Sequence, residues 1–192
     1  MAEAAEPATL TINRAPVLTL WAAIVAERCG YERDEALTLG RAFAGVNAQS
    51  KGRTLGIVAA KAKAGAERRR RATRSGEALR IGLMGRNVPA VRTKEGLRAL
   101  ERERPSNPEG VERYLESKFG ASLAAVRTAM KALAEAYSPD DLDRQGFALY
   151  EEFRPKIPAG VMGWGAVGVL DLAVIRRLAK PRSLHPRPPA SR

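Results

Sequence analysis

The charge of this chain is gathered in one place. Residues 51–104 hold 16 of the 33 Lys and Arg residues against five acids (Glu67, Glu77, Glu95, Glu101 and Glu103), a local net charge of +11, while the whole 192-residue chain carries +12. Residues 1–50 are slightly acidic, and residues 105–180 hold acids and bases in equal number. Inside the block, residues 61–75 read KAKAGAERRRRATRS, seven bases with one acid and no aromatic ring. Such a stretch cannot enter a core, because its charges would leave water without partners. It must be solvated or lie against an anion, so it splits the chain into two nearly neutral, foldable regions and points to a class of partner rather than to a reaction.

Other function classes fall away on composition. No apolar run reaches the ~20 residues of a membrane-spanning helix. The N-terminus, MAEAAEPATLTI, lacks the basic start and apolar centre of a signal peptide, and the single Cys29 excludes an internal disulfide framework. A cytoplasmic protein is expected, at the nucleoid if it binds DNA. Arg supplies 25 of the 33 bases; it suits bidentate phosphate contacts better than Lys does, although a GC-rich genome produces the same preference.

The patterning predicts a mostly α (α+β) fold: an N-terminal helical hairpin, a small antiparallel sheet with a basic arm, and a C-terminal helical bundle. Residues 1–12 are expected to be a disordered leader. Residues 13–104 form the hairpin and the sheet, with the arm at 61–75; residues 105–180 form the helical region, and 181–192, rich in proline, a disordered tail. The first helix should start at the cap residue Asn13 and show an apolar face of Val17, Leu20, Trp21, Ile24 and Val25, with Gly30 as its left-handed stop. Asp34 and Glu35 open the second helix, where acids match the positive end of the helix dipole. Gly40 and Ala44 would let a neighbouring helix approach closely, and the helix should end at residues 50–52. Strands are expected at 54–58, at 77–84 and at 88–92, with a turn at 85–87; Pro89 would put the last strand at an edge or a bulge. Self-pairing in a homodimer would relieve such an edge. A helix should follow over 96–104. Further on, Asn107-Pro108-Glu109, Ser138-Pro139-Asp140-Asp141 and Asp171 are helix-start signals.

The order helix, Gly30, helix, Gly52, strand, basic arm, strand, then Val88-Pro89-Ala90-Val91-Arg92 and a helix resembles the layout of the bacterial histone-like HU and integration host factor proteins over about residues 14–104. That resemblance implies a dimer whose arms, here around residues 68–74, wrap the minor groove of bent DNA. The sequence departs from it in lacking an Arg-Asn-Pro arm tip and a Gly-Phe-Gly turn, and nothing in that layout corresponds to the residues after Arg104. The complete chain is also similar to small basic prokaryotic proteins without an assigned role, which transfers no function.

Catalytic chemistry finds no constellation. The only histidine, His185, lies in the tail, so a Ser or Cys nucleophile has no imidazole base, and one Cys with one His cannot build a zinc site. The glycines around Trp164 imitate a dinucleotide loop without its preceding strand and spacing; they are expected to let Trp164 fold back on the helices. Asp140, Asp141 and Asp143 at a helix start read as dipole-matching acids before they read as a Mg²⁺ site. Cys29 reads as a small buried residue.

The expected function is therefore nucleic-acid binding without enzymatic activity or cofactor. Lys61, Lys63, Arg68, Arg69, Arg70, Arg71 and Arg74 on the arm would contact phosphates, and Arg80, Arg86, Arg92 and Lys94 would extend the surface onto the sheet. Single-strand recognition is disfavoured, because the arm offers no ring for base stacking; binding should be largely electrostatic with little sequence choice, and duplex DNA is favoured over RNA. A helix–turn–helix reading of the first two helices is disfavoured, since Asp34 and Glu35 would lead the second helix into the phosphates. The alternative is a protein-interaction or regulatory module that uses the helical region and Trp164, with the basic stretch as a solvated linker.

Overall fold

The computed structural model describes residues 8–54, 78–161 and 165–180. The basic arm, Trp164 and the tail lie outside them, as do all but one residue of the strand expected at 54–58.

At the centre is one helix. The side chain of Asn13 accepts a hydrogen bond from the Ala15 N–H and starts α1 (Arg14–Arg28), with Pro16 in its first turn. Eleven consecutive residues, 16–26, are buried. A single apolar face was expected; instead α1 is covered all round, because α2 (Arg33–Thr54), α3 (Pro108–Phe119), α4 (Leu123–Glu135) and α5 (Pro139–Phe153) all pack against it. The two polar side chains in this buried stretch are satisfied locally or by a neighbour. Thr19 donates to the Ala15 carbonyl, and the indole N–H of Trp21 donates to the Gly146 carbonyl of α5 at 2.8 Å. Trp21 also meets Phe153 edge to face at 5.4 Å.

Gly30, at φ +98°, ends the helix as expected and turns the chain into α2. Gly40 is where the two helices cross. A Cβ there would lie 2.5 Å from the Thr19 oxygen and 2.7 Å from the Ala23 nitrogen, so only glycine allows this approach. Helix α2 runs to Thr54, past the stop expected at 50–52.

The sheet is an antiparallel meander, β2 (Ala78–Leu83), β3 (Arg86–Thr93), β4 (Gly96–Glu101) and β5 (Arg104–Pro105), in that spatial order. Three expectations are corrected here. The turn after β2 is Met84-Gly85, with φ of +47° and +72°, and β3 begins at Arg86, so residues 85–87 are not the turn. Met84 tolerates the strained conformation because its side chain is buried and its sulfur packs on Gly146, in the space that a Cβ there would need. β3 is an interior strand; Pro89 fits because the ladder to β4 begins one residue later, at Ala90–Ala99. Residues 96–101 are a strand rather than part of a helix, although Leu, Arg, Ala and Glu are good helix formers. Tertiary partners decide that segment. Leu97 and Ala99 face the helices, and the outward edge of β4 is closed by side chains from α2.

That edge can be accounted for group by group. The Leu97 N–H donates to Glu35 Oε1 at 2.8 Å, and the Ala99 N–H donates to Thr38 Oγ1 at 3.1 Å. The Thr38 hydroxyl in turn donates to the Glu35 carbonyl. The Leu97 carbonyl accepts from Arg98 Nη1 at 3.0 Å, and the Ala99 carbonyl accepts from the Ser106 N–H at 2.8 Å. The acids expected only to match a helix dipole therefore include one, Glu35, that takes the place of a neighbouring strand.

The C-terminal helices start where their signals predict. Asn107, Ser138 and Asp171 cap α3, α5 and α6 (Leu172–Leu178) through their side chains. Ahead of α6 runs β6 (Val167–Asp171), which pairs antiparallel with β1 (Thr9–Asn13). The leader expected over 1–12 is thus a strand from Thr9 onward. The reason is remote, since its partner lies more than 150 residues along the chain. One hydrophobic core runs from Ile12 to Ile175 and draws on both halves, so the boundary at 104/105 divides the sequence without dividing the core.

Candidate nucleic-acid interface

Of the eleven basic residues singled out by sequence, Lys61, Lys63, Arg68, Arg69, Arg70, Arg71 and Arg74 lie outside the described residues. The other four are on the sheet, and the sheet does not gather them. Arg80 is exposed and pairs with Pro89 on the face turned away from the helices. Arg86 shares the opposite face with the buried Val88 and Ala90; it is half-buried, and its guanidinium carbon sits 5.1 Å from the Phe147 ring centroid. Arg92 and Lys94 are exposed at the far end of β3, at and beside the turn into β4. Six residues of strand separate Arg86 from Arg92, about 20 Å at ~3.3 Å per residue.

Two more exposed bases stand nearby. Arg102 lies in the β4–β5 turn and Arg104 directly after it; the turn's central residues, Arg102 and Glu103, have φ of +49° and +70°. Sequence reasoning missed them because a helix over 96–104 would have scattered their side chains round an axis. Their signal was their place inside the basic block.

Elsewhere several cations are committed to the fold. Glu112 receives both Arg33 at 3.2 Å and Arg127 at 2.8 Å. Arg41 reaches Glu101 at 3.4 Å and lies 4.3 Å over the Tyr114 ring. Buried Arg98 is 3.8 Å from Asp34. Lys131, Arg144 and Arg154 pair with Glu27, Asp141 and Glu151. Most of these pairs are partly exposed, each worth ~0–1 kcal/mol, so they fix charge more than they add stability. Arg80, Arg92, Lys94, Arg102 and Arg104 enter no ion pair among the described residues, and neither do Arg28, Arg113, Lys118 and Arg177 on the helices, which stand among acids rather than in a basic block.

The titrating groups do not assemble a reactive centre. Burial pushes the Cys29 thiol up, with Asp143 adding to the effect, which disfavours the thiolate a nucleophile needs. The thiol is half-buried rather than fully buried, its sulfur 3.9 Å from the Pro139 carbonyl. Burial likewise raises Tyr150, whose hydroxyl donates to the Arg14 carbonyl at 3.2 Å. Asp141, in the first turn of α5, is held low by the Ser138 hydroxyl and then by Arg144, both of which donate to its carboxylate. No cluster of three or more His, Cys, Asp or Glu with metal-binding geometry occurs among the described residues, and no helix there is long and apolar enough to cross a membrane. Exposed apolar side chains concentrate at Val161, Val167 and Val169. Comparison with known proteins adds no family: no family model, no curated protein and no solved structure matches this chain.

Proposed function

We propose that this protein binds nucleic acid, with duplex DNA as the preferred form, through the Arg-rich stretch of residues 61–75 and the unpaired bases of the adjoining sheet. The observation that carries the reading is the division of charge. Over residues 1–50 and 105–180 acids equal or outnumber bases, and Arg33, Arg41, Arg127, Lys131 and Arg144 on the helices are paired with them, whereas the block at 51–104 keeps a net +11 and its exposed sheet members have no ion-pair partner among the described residues. Contacts of this kind neutralise phosphates and release counterions, so affinity falls linearly in log–log form as salt rises. Sequence choice is small, apart from a preference for A·T-rich duplexes where Arg enters a narrow minor groove.

The test is fluorescence anisotropy of a labelled duplex across a salt series. Wild type is compared with a variant in which Arg68, Arg69, Arg70, Arg71 and Arg74 are all changed to Ala. The expected result is micromolar or tighter binding at low salt and a shallower salt slope in the variant. Absence of binding by the wild type at low salt overturns the reading. The exposed valines favour a second reading, a protein-interaction module centred on residues 157–170, for which apolar truncations rather than salt would control affinity.

A further inference from the structure

The two-stranded ribbon has one open side, and its backbone geometry identifies it. Val169 exchanges both of its main-chain hydrogen bonds with Lys156, at 3.0 and 3.1 Å, on the side of β6 away from β1. Thr11 is the residue paired with Val169 across the ribbon. In an antiparallel ladder a pair whose one member points outward points outward on both sides. The N–H and C=O of Thr11 therefore face away from β6, and those of Thr9 do the same two residues earlier. The Leu172 N–H donating to the Ala8 carbonyl confirms that the even-numbered positions of this segment are the ones turned inward. No strand lies on that edge among the described residues.

Natural edges are usually blunted with Lys, Pro or a bulge. Residues 8–13, ATLTIN, have none of these and carry no charge, in a chain of net charge +12. We propose that two copies of this chain pair through their β1 edges, antiparallel about a two-fold axis at Thr11. This inference is independent of nucleic-acid binding.

The register is self-complementary. Thr11 faces its own counterpart and exchanges two main-chain hydrogen bonds with it. Leu10 of each copy faces Ile12 of the other on the side of the cores, which covers a Leu10 that the single chain leaves half-exposed. Thr–Thr and aliphatic cross-strand pairs are favourable in sheets. The nearest charge sharing the Thr11 face is Asp171, paired with Thr9 one strand from the seam, where its carboxylate accepts from the Ala173 N–H; Lys156 follows, two strands from the seam. In the paired form the two Lys156 side chains stand about 24 Å apart at ~4.8 Å per strand, well beyond the ~8 Å screening length at physiological salt. A second copy therefore meets neither like charge nor a mismatched face at this edge.

Sedimentation of the full chain over a concentration series tests the pairing, with circular dichroism as the check on folding. Wild type should reach twice the 20.8 kDa chain mass. Thr11→Pro removes an N–H that β6 does not use, a position where an edge strand accepts proline, and should return the mass to that of one chain. Thr11→Lys sets two like charges opposite each other at the axis and should do the same on an intact ribbon. If the proline variant misfolds, the lysine variant decides. A wild type that stays at one chain mass at every concentration overturns the proposal. Folded variants that keep the doubled mass overturn it as well.

Discussion

Two strand edges in this molecule meet the same physical problem in opposite ways. The outer edge of β4 presents two N–H and two C=O groups, and each finds a partner within the chain: Glu35, Thr38, Arg98 and Ser106. The outer edge of β1 presents the groups of Thr9 and Thr11, and none of the described residues takes them up. Threonine serves both edges, yet in different senses. At Thr38 the side chain closes an edge; at Thr11 the backbone is the edge. An edge thus becomes an interaction surface according to what the nearest helix can reach, and not according to the composition of the strand alone.

The contrast can be tested, beginning with the largest expected effect. Gly40→Ala should push α2 off α1, because the added carbon meets backbone at 2.5 and 2.7 Å. Overpacking of this kind costs about 2–3 kcal/mol, read as a lower urea midpoint. Glu35 and Thr38 ride on the same helix, so amide exchange at Leu97 and Ala99 should accelerate in this variant. Unchanged protection there would break the idea that α2 closes the edge. Next, Thr38→Val keeps the shape but leaves the buried Ala99 N–H without an acceptor, at a cost of ~2 kcal/mol. Thr11→Val, the same substitution on the open edge, should stay within ~0.5 kcal/mol of wild type in the urea midpoint, both measured at a concentration where sedimentation gives one chain mass. Equal costs for the two threonines would erase the distinction. Smaller again, Glu35→Ala should cost about 1–2 kcal/mol and Glu35→Gln less than ~0.5 kcal/mol, since the amide oxygen can still accept from Leu97. If both cost the same, the charge on Glu35, through its place at the start of α2, matters more than the acceptor.

What could be read from the sequence was local. Asn13, Asn107, Ser138 and Asp171 announced helix starts because a cap depends on residues two or three positions away. Gly30 and Gly40 were legible for a similar reason: a left-handed φ or a close helix approach leaves few alternatives to glycine. β1 and β4 were not legible. A five-residue strand whose partner is at 167–171 carries no signal within its own window. In β4, the intrinsic preference of Leu, Arg, Ala and Glu for helix was overridden by hydrogen bonds from a helix 60 residues earlier. The Met84-Gly85 turn escaped because hairpin chemistry usually announces itself with Asn or Asp at the first central position, and here packing against Gly146 holds a Met there instead. For the candidate interface, sequence marked the basic block and could not tell which of its members the fold would commit. Arg86 went to a ring and Arg98 to an edge, whereas Arg102 and Arg104 stood clear.

The pairing of β1 with β6 also sets a timetable. β1 leaves the ribosome first, and its partner follows only after more than 150 further residues. At ~5–20 residues per second that is an interval of roughly 10–30 s. Throughout it, an uncharged strand has both edges open, and helix α1, meant to be enclosed on every side, begins with only α2 to lean on and gains α3, α4 and α5 one after another. The ribbon can close only after β6 has emerged, so its most exposed moment in the cell comes before the native state exists.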